Sequence, residues 1–270
     1  MLGFGEAGST IVAQNIGVFG DVDPMVSGKK IMAIYGFCDI RQFTGSTEAL
    51  QEKVMVFVNN IARIVHSTTS EFLGAPNKNI GDAFLLVWRI PDSELFHDFR
   101  GNLTMAADSF IVNNVADAAL ISVLKTLCKL TREKSIRAYR HNEHLMQRFG
   151  GKYSLKLGFG LHVGYSFEGA LGSPYKIDAT YLSSHVNFSS TLEGLTKDYG
   201  VLVLLSGKFY EILSEESQRR CRLIDKLQFG GSIEEHELYT VNVELGKLTP
   251  QDEISQLTNK DLYAMTAQLR

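Results

Sequence analysis

Apolar and polar residues alternate in blocks over residues 31–88, and these blocks predict the elements that organise the chain. Residues 31–38 form a β-rich apolar run that ends at the acid Asp39. Over residues 46–72, apolar side chains recur at three- and four-residue steps, which predicts an amphipathic helix. A Gly-Ala-Pro-Asn break at 74–77 ends this helix. A second apolar strand, residues 83–88, comes directly after Asp82 and is expected to lie antiparallel to a short strand before it.

The remaining patterns predict a mixed domain. Further strands are expected at 155–163, 201–205, 221–224 and 237–241, with another short strand bracketed by Gly164 and Gly169. Helical spacing occurs at 106–130, 185–195 and 207–213, whereas 91–101 is polar and loop-like and 132–148 is a charged tract. Strand, helix, hairpin, helix, strand is the split plan of ferredoxin-like α+β domains, with an antiparallel sheet.

Composition narrows the class of protein without naming a function. The chain has 270 residues, 44% of them hydrophobic and 21% charged, which is ordinary for a globular protein. Its formal net charge of -3 gives no reason to expect nucleic acid as a partner. No run reaches the roughly 18–20 apolar residues that a membrane helix needs. The three cysteines have no CxxC spacing, which favours a reducing, cytoplasmic location.

Two acids next to the first two strong strands are the main candidates for chemistry. Asp39 ends the first strand, and Asp82 precedes the second. If the strands are neighbours, both carboxylates lie at one edge of the sheet and can share a divalent cation. Hard cations prefer carboxylate oxygens and also bind phosphates, so this arrangement points to phosphoryl-transfer chemistry.

Several motifs in order resemble the catalytic domain of class III nucleotide cyclases. The resemblance covers roughly residues 30–243. It rests on segments whose order and approximate spacing agree with that family, namely 37–44 (FCDIRQFT), 78–82 (KNIGD), 160–164 (GLHVG), 169–173 (GALGS), Thr180, 186–187 (VN), 192–193 (LE) and 237–239 (ELY). The family pairs two subunits head to tail, with the active site across their interface.

The resemblance implies the metal-binding and substrate-binding residues. Asp39, Asp82 and the backbone carbonyl of Ile40 would hold two Mg²⁺ or Mn²⁺ ions on the triphosphate of ATP. One ion would lower the pKa of the ribose 3′-hydroxyl and the other would neutralise the leaving pyrophosphate. Phe43, Thr44 and Gly81 would belong to the substrate site. Gly164, Gly169 and Gly172 are expected to be turn residues of a dimerising hairpin.

Base selection is expected to depend on Lys78 and Thr180. A lysine has only donors, and N1 of adenine is an acceptor, whereas N1 of guanine carries a proton. Lys78 therefore favours ATP and disfavours a guanylyl cyclase. The Lys and Thr pair is similar to the bacterial and soluble-adenylyl-cyclase-like branch, whose members often respond to bicarbonate. Asn187, seven residues after Thr180, would orient the ribose.

One position departs from the family pattern. Four residues after Asn187 the family usually carries an arginine that stabilises charge on the transferring phosphate, and this chain has Thr191. Three explanations stay open: a slow enzyme, a substitute cation, or a partner subunit that supplies the arginine. Lys197 and Lys176 do not occupy the matching position. The sequence thus predicts an adenylyl cyclase, with a weakly active or inactive dimerising, regulatory module as the alternative.

The expected domain organisation has four parts. Residues 1–29 are a lead-in, 30–245 the cyclase domain, 91–150 an expanded insertion within it, and 246–270 a polar helical tail. The expected partner is ATP together with a second cyclase domain, in a homodimer or a heterodimer. The chain is compatible with belonging to a longer membrane or sensor protein.

Overall fold

A computed structural model describes residues 26–173, 176–228 and 235–241. Its strands are β1 (Lys29–Ile40), β2 (Ala75–Ile80), β3 (Ala83–Arg89), β4 (Leu95–His97), β5 (Leu103–Met105), β6 (Leu157–Ser173), β7 (Lys176–Leu182), β8 (Val203–Ser206), β9 (Cys221–Gln228) and β10 (Glu235–Val241). Its α-helices are α1 (Phe43–Leu50), α2 (Val54–Glu71), α3 (Phe110–Arg132), α4 (Lys134–Arg137), α5 (Glu143–Arg148), α6 (Ser184–Asp198), α7 (Gly207–Glu211) and α8 (Glu215–Arg219). The predicted tail at 246–270 and most of the predicted lead-in lie outside the described residues.

The strands form one large mixed sheet and a separate small hairpin. In the large sheet the order is β2-β3-β1-β6-β8-β10-β9, and β7 pairs with the outer half of β6. All pairings are antiparallel except that of β6 with β8. The order β1, helix, β2-β3 hairpin, helix, β6 is the split βαββαβ plan. The predicted α+β, ferredoxin-like fold class is therefore confirmed.

Residues 31–38 of the central strand β1 form an apolar run because both faces of the strand are covered. Met32 and Ile34 point into the main core, which α2 and α3 close, while Ala33 and Tyr35 point into a second cluster on the opposite face. Period-2 alternation assigns Asp39 to the same face as Tyr35. This is the face against which α6 packs.

Helix α6 lies close to β6 because three glycines face it. A Cβ added at Gly158 would lie 2.7 Å from Thr196 Oγ1. A Cβ at Gly160 would lie 2.5 Å from the Glu193 amide nitrogen, and a Cβ at Gly164 would lie 2.6 Å from His185 Cδ2. All three values are below 3.0 Å, a distance that real Cβ atoms essentially never show. Gly158, Gly160 and Gly164, called the glycine row below, therefore set the spacing between helix and sheet.

Several element predictions needed correction. Residues 46–72 are two helices joined by a 3₁₀ turn, because the backbone at Gln51 has a positive φ of 49°. Gly164 and Gly169 do not bracket a separate strand, since β6 is continuous from Leu157 to Ser173. Gly164 is thus not a turn residue; its missing side chain makes room for His185. Residues 91–101 include a 3₁₀ turn and β4, which pairs with β5.

Helix α3 is the main contribution of residues 91–150 to the core. Val112, Val115 and Leu127 are buried in the main cluster, as is Leu145 of α5. Of the described helices, α3 alone meets the length and hydropathy of a membrane span, and 67% of its apolar window is buried inside the fold. Its apolar residues therefore serve the core. The boundaries of the predicted insertion stay a prediction.

Candidate active site

The two candidate metal-binding acids meet at one end of β1. Gly81 has φ +66° and open space where a Cβ would be, so it forms the turn between β2 and β3 without strain. The turn places Asp82 immediately before β3, and Asp39 lies opposite Ala83 in the β1–β3 register. The Asp39 carboxyl is close enough to contribute to the raised pKa of Asp82. The predicted neighbourhood of the two acids is thus present in the structure.

Burial and negative charge together dominate this edge. Desolvation, and then the charge of Asp39, raises the pKa of Asp82. Glu193 of α6 is 4% exposed. Its pKa is also raised, first by burial and then by Asp39. Carboxylates held close together in this way favour the binding of a cation.

Two basic residues accompany these acids. Lys197 Nζ, in the last turn of α6, donates to Asp39 Oδ2 at 3.0 Å. Arg41 Nη2 donates to the Val201 carbonyl oxygen at 2.5 Å, and burial lowers the pKa of Arg41. Arg41 Nε and Glu193 Oε1 are buried without a hydrogen-bond partner. Arg41 is therefore fixed in the fold, whereas Lys197 is bound only through the site itself.

The donor set at this edge fits a hard divalent cation. Among the described residues, no group of three or more His, Cys, Asp or Glu side chains could hold a metal ion. Two carboxylates remain, with the carbonyl of Ile40, whose side chain is buried. Mg²⁺ in proteins is commonly held by one or two carboxylates, with water and substrate phosphates as its other ligands. The site has this composition.

Helix α1 begins at Phe43, four residues after Asp39. Phe43 and Thr44 are its first two residues; Phe43 packs against the main core and Thr44 is exposed. Gln42 precedes them in a left-handed conformation and makes no side-chain cap. The first backbone amides of a helix have no partner within it, so they can bind an anion.

Lys78 and Thr180 meet at a different place. Lys78 Nζ donates to Thr180 Oγ1 at 2.9 Å, although the two residues lie on different strands, β2 and β7. Beside them, Asn77 Nδ2 donates to the Ala179 carbonyl oxygen at 3.4 Å, and Asn77 Oδ1 is buried without a partner. The structure thus brings the two predicted base-reading residues together, while their role stays a prediction.

Among the described residues, no hydrogen bond or ion pair joins this pair to Asp39 or Asp82. Thr180 lies opposite Gly169 on β6, and Asp39 lies opposite Gly158. The predicted site residues therefore form two half-sites, one with Asp39 and Asp82 and one with Lys78 and Thr180.

Helix α6 follows β7 and carries the remaining site position. Asn187 is exposed in its first turn, and Thr191 Oγ1 donates to the Asn187 carbonyl oxygen at 3.2 Å. Lys197 lies about 15 Å from Asn187 along the helix axis. Thr191 is exposed and carries no charge, so the departure at this position is a real loss of a cation.

Known proteins with similar sequences and folds identify the domain. The adenylate cyclase of Anabaena cylindrica is 30% identical over 207 residues, which are 76% of this chain and 36% of that protein. A bacterial light-regulated adenylyl cyclase has a similar structure, with a TM-score of 0.61, 25% identity and coverage of 90% of this chain and 61% of that one. In sequence and in fold, the domain is similar to the catalytic domains of class III nucleotide cyclases. No family model matches it.

The fold of this cyclase domain is shared by enzymes with different substrates. The guanylyl cyclase Cya2 has a TM-score of 0.56 at 19% identity, with coverage of 80% of this chain and 94% of that one. The fold alone therefore does not select a base. The chain spans about a third of the length of the Anabaena relative. Cyclases of this family depend on divalent metal ions in general.

Sequence reasoning missed one residue of the site. Lys197 was considered only as a replacement for the arginine and was excluded by its position. Its contact with Asp39 joins residues 158 positions apart, so no local pattern could have indicated it. Arg41 and Glu193 were part of the family motifs, but their burial beside Asp39 becomes visible only in the structure.

Proposed function

We propose that this cyclase domain converts ATP to 3′,5′-cyclic AMP and pyrophosphate. The observation that carries the proposal is the β1–β3 register, which places Asp39 beside Asp82 at the end of β1. The acids are ordered by strand pairing and by the Gly81 turn, so a cation site would need little rearrangement. Two Mg²⁺ or Mn²⁺ ions would be held by Asp39, Asp82 and the carbonyl of Ile40. When bound, the metal would lower the pKa of the ribose 3′-hydroxyl and neutralise charge on the pyrophosphate.

The other half-site supports adenine as the base. Lys78 would donate to N1 of adenine, and the Thr180 hydroxyl would accept from the exocyclic amino group. Their contact at 2.9 Å supports a shared role, because it holds the two polar groups side by side. Guanine would place its N1 proton against an ammonium that can only donate. Asn187 would orient the ribose, and the free amides of Phe43 and Thr44 would bind phosphate oxygens.

A head-to-tail dimer would combine the two half-sites. Each protomer carries both half-sites, and an antiparallel partner would place its Lys78 and Thr180 opposite Asp39 and Asp82. The exposed apolar residues Tyr165, Phe167, Leu171 and Leu182 lie on the β6–β7 hairpin and support such an interface. A homodimer provides two sites, whereas a heterodimer with an arginine-bearing domain would also compensate for Thr191.

A cytoplasmic location is part of the proposal. All three cysteines are among the described residues, and none forms a disulfide. This state is expected in a reducing compartment.

The test is cyclic nucleotide production by the purified chain with Mn²⁺ and either ATP or GTP. We expect cyclic AMP from ATP, reduced by about 100-fold or more in Asp39→Ala and Asp82→Asn, because both variants remove a metal ligand. Circular dichroism should show that both variants are folded. Absence of any product from the wild-type chain, alone and mixed with an arginine-bearing cyclase domain, would favour the regulatory module.

A further inference from the structure

Lys197 places a positive charge on a residue that the proposed function assigns to a metal ion. Its ammonium is 3.0 Å from Asp39 Oδ2, and the side chains of Lys197 and Asp39 are 50% and 17% exposed. The lysine reaches across from α6, whose spacing from the sheet is set by the glycine row. The contact therefore belongs to the metal edge of the site and is not an incidental surface pair.

The ammonium and a divalent cation would compete for the same carboxylate. Two positive charges at contact distance from one oxygen repel each other, so Lys197 has to withdraw when a metal ion binds Asp39. Withdrawal is easy, because a half-exposed lysine has a flexible stem and exposed ion pairs contribute little to stability. No other contact of the Lys197 ammonium is seen among the described residues.

The released ammonium would remain beside the substrate. A phosphate oxygen on the same ion as Asp39 lies at most about 4 Å from the carboxylate oxygen, because Mg²⁺–oxygen distances are about 2.0–2.1 Å. Lys197 already reaches that carboxylate, so a small rotation of its stem brings it to the triphosphate. Arg41 is less suited to this role, since its guanidinium is bound to the Val201 carbonyl.

We propose that Lys197 is an exchangeable counter-ion of the site, which neutralises Asp39 when no metal is bound and pairs with the triphosphate when metal and nucleotide are bound. This inference rests on the proposed function and deepens it. It assigns to this chain a cation that can partly replace the arginine absent at Thr191. The replacement comes from the protomer that holds the metal, whereas Thr191 lies beside the ribose-orienting Asn187.

The experiment compares Lys197→Met, Lys197→Arg and the control Lys29→Met. Lys29 pairs with Asp92 at 2.7 Å at the opposite end of β1, so the control removes an equal charge and a similar ion pair far from the site. The first measurement is Mn²⁺ binding to the nucleotide-free chain. The concentration of free Mn²⁺ is monitored by its electron paramagnetic resonance signal. We expect Lys197→Met to bind Mn²⁺ about two- to fivefold more tightly, because the competitor is gone.

The second measurement is binding of α,β-methylene-ATP at saturating Mn²⁺, by calorimetry. The carbon bridge of this analogue blocks loss of pyrophosphate, so binding is measured without turnover. We expect Lys197→Met to weaken analogue binding by about 10- to 100-fold, the usual effect of losing a hydrogen bond between charged groups. Lys197→Arg should retain most of the affinity, and Lys29→Met should match the wild type in both measurements.

Opposite shifts in the two affinities are the signature of an exchangeable counter-ion. A lysine that only stabilised the fold would not tighten Mn²⁺ binding on removal. Unchanged or weaker Mn²⁺ binding by Lys197→Met would overturn the proposal, and so would unchanged analogue binding. Neither measurement requires cyclic AMP formation, so failure of the proposed enzymatic activity would be recognised separately.

Discussion

The two half-sites of the candidate active site differ in the charge of their side chains. Asp39, Asp82 and the buried Glu193 concentrate negative charge at the end of β1, and Arg41 and Lys197 balance part of it. At the other half-site, the one partner of the Lys78 ammonium within the described part of the chain is a neutral hydroxyl. One half of the site is therefore suited to a cation, and the other to an acceptor on a base.

Reversing the charge at Lys78 tests the base-reading role. In Lys78→Glu the new carboxylate accepts where the ammonium donated, so it should repel N1 of adenine and accept the N1 proton of guanine. We expect the ratio of kcat/KM for ATP over that for GTP to fall about tenfold or more. Lys53→Glu makes the same change at an exposed position in the turn after α1 and should leave the ratio unaltered. An unchanged ratio in Lys78→Glu would remove this residue from base selection.

At the scale of elements, the contact of α6 with β6 positions the site. The glycine row lets the helix backbone approach the strand, and the helix then carries Glu193 and Lys197 to Asp39 at one end and Asn187 to the base side at the other. Two parts of the site thus depend on one contact between helix and sheet.

A side chain in the glycine row should be costly. In Gly160→Ala the new Cβ would meet the α6 backbone at Glu193 N, and backbone cannot move aside as a flexible side chain can. We expect the free energy of unfolding to fall by about 1–3 kcal/mol, as for other overpacked sites. The matched variant Gly194→Ala, in α6 with open space around it, should raise stability by about 0.4–1 kcal/mol. Urea denaturation at equal protein concentration measures both, and an unaffected Gly160→Ala would show that the helix can shift outward.

The same elements show what the sequence could predict. β1, β3 and α3 were predicted because their apolar periodicity is local and needs no knowledge of distant residues. The expectation that Asp39 and Asp82 meet was local too, because one acid ends a strand and the other immediately precedes the next apolar strand. Gly164 was misassigned to a turn, since a glycine is used both for unusual backbone angles and for close approach, and only the position of His185 distinguishes the two.

At the scale of the whole molecule, the proposed head-to-tail dimer has a consequence for activity. In that dimer, the Asp39 and the Lys78 that act on one nucleotide would come from different protomers. Asp39→Ala and Lys78→Ala should each be nearly inactive alone. In a mixed dimer, one of the two sites would hold an intact Asp39 from one protomer and an intact Lys78 from the other.

Mixing the two inactive variants should therefore restore activity. With random pairing, half of the dimers are mixed and one of their two sites is intact, so about a quarter of wild-type cyclic AMP production is expected. Asp39→Ala mixed with Asp82→Asn serves as the control, because both defects lie in the same half-site and no intact site can form. Ultracentrifugation verifies that dimers form. If the first mixture forms dimers but recovers no activity, a site shared between protomers is contradicted.

The glycine row also limits how this domain can be rebuilt by exchange with relatives. Helix α6 carries the position of the absent arginine, which makes it the obvious segment to transplant from an arginine-bearing cyclase. The donor helix would, however, bring side chains shaped for its own strand, while Gly158, Gly160 and Gly164 fit the present ones. Strand β6 and helix α6 should therefore be grafted as one unit, and chimaeras with a junction between them should fold less well than chimaeras that keep the pair intact.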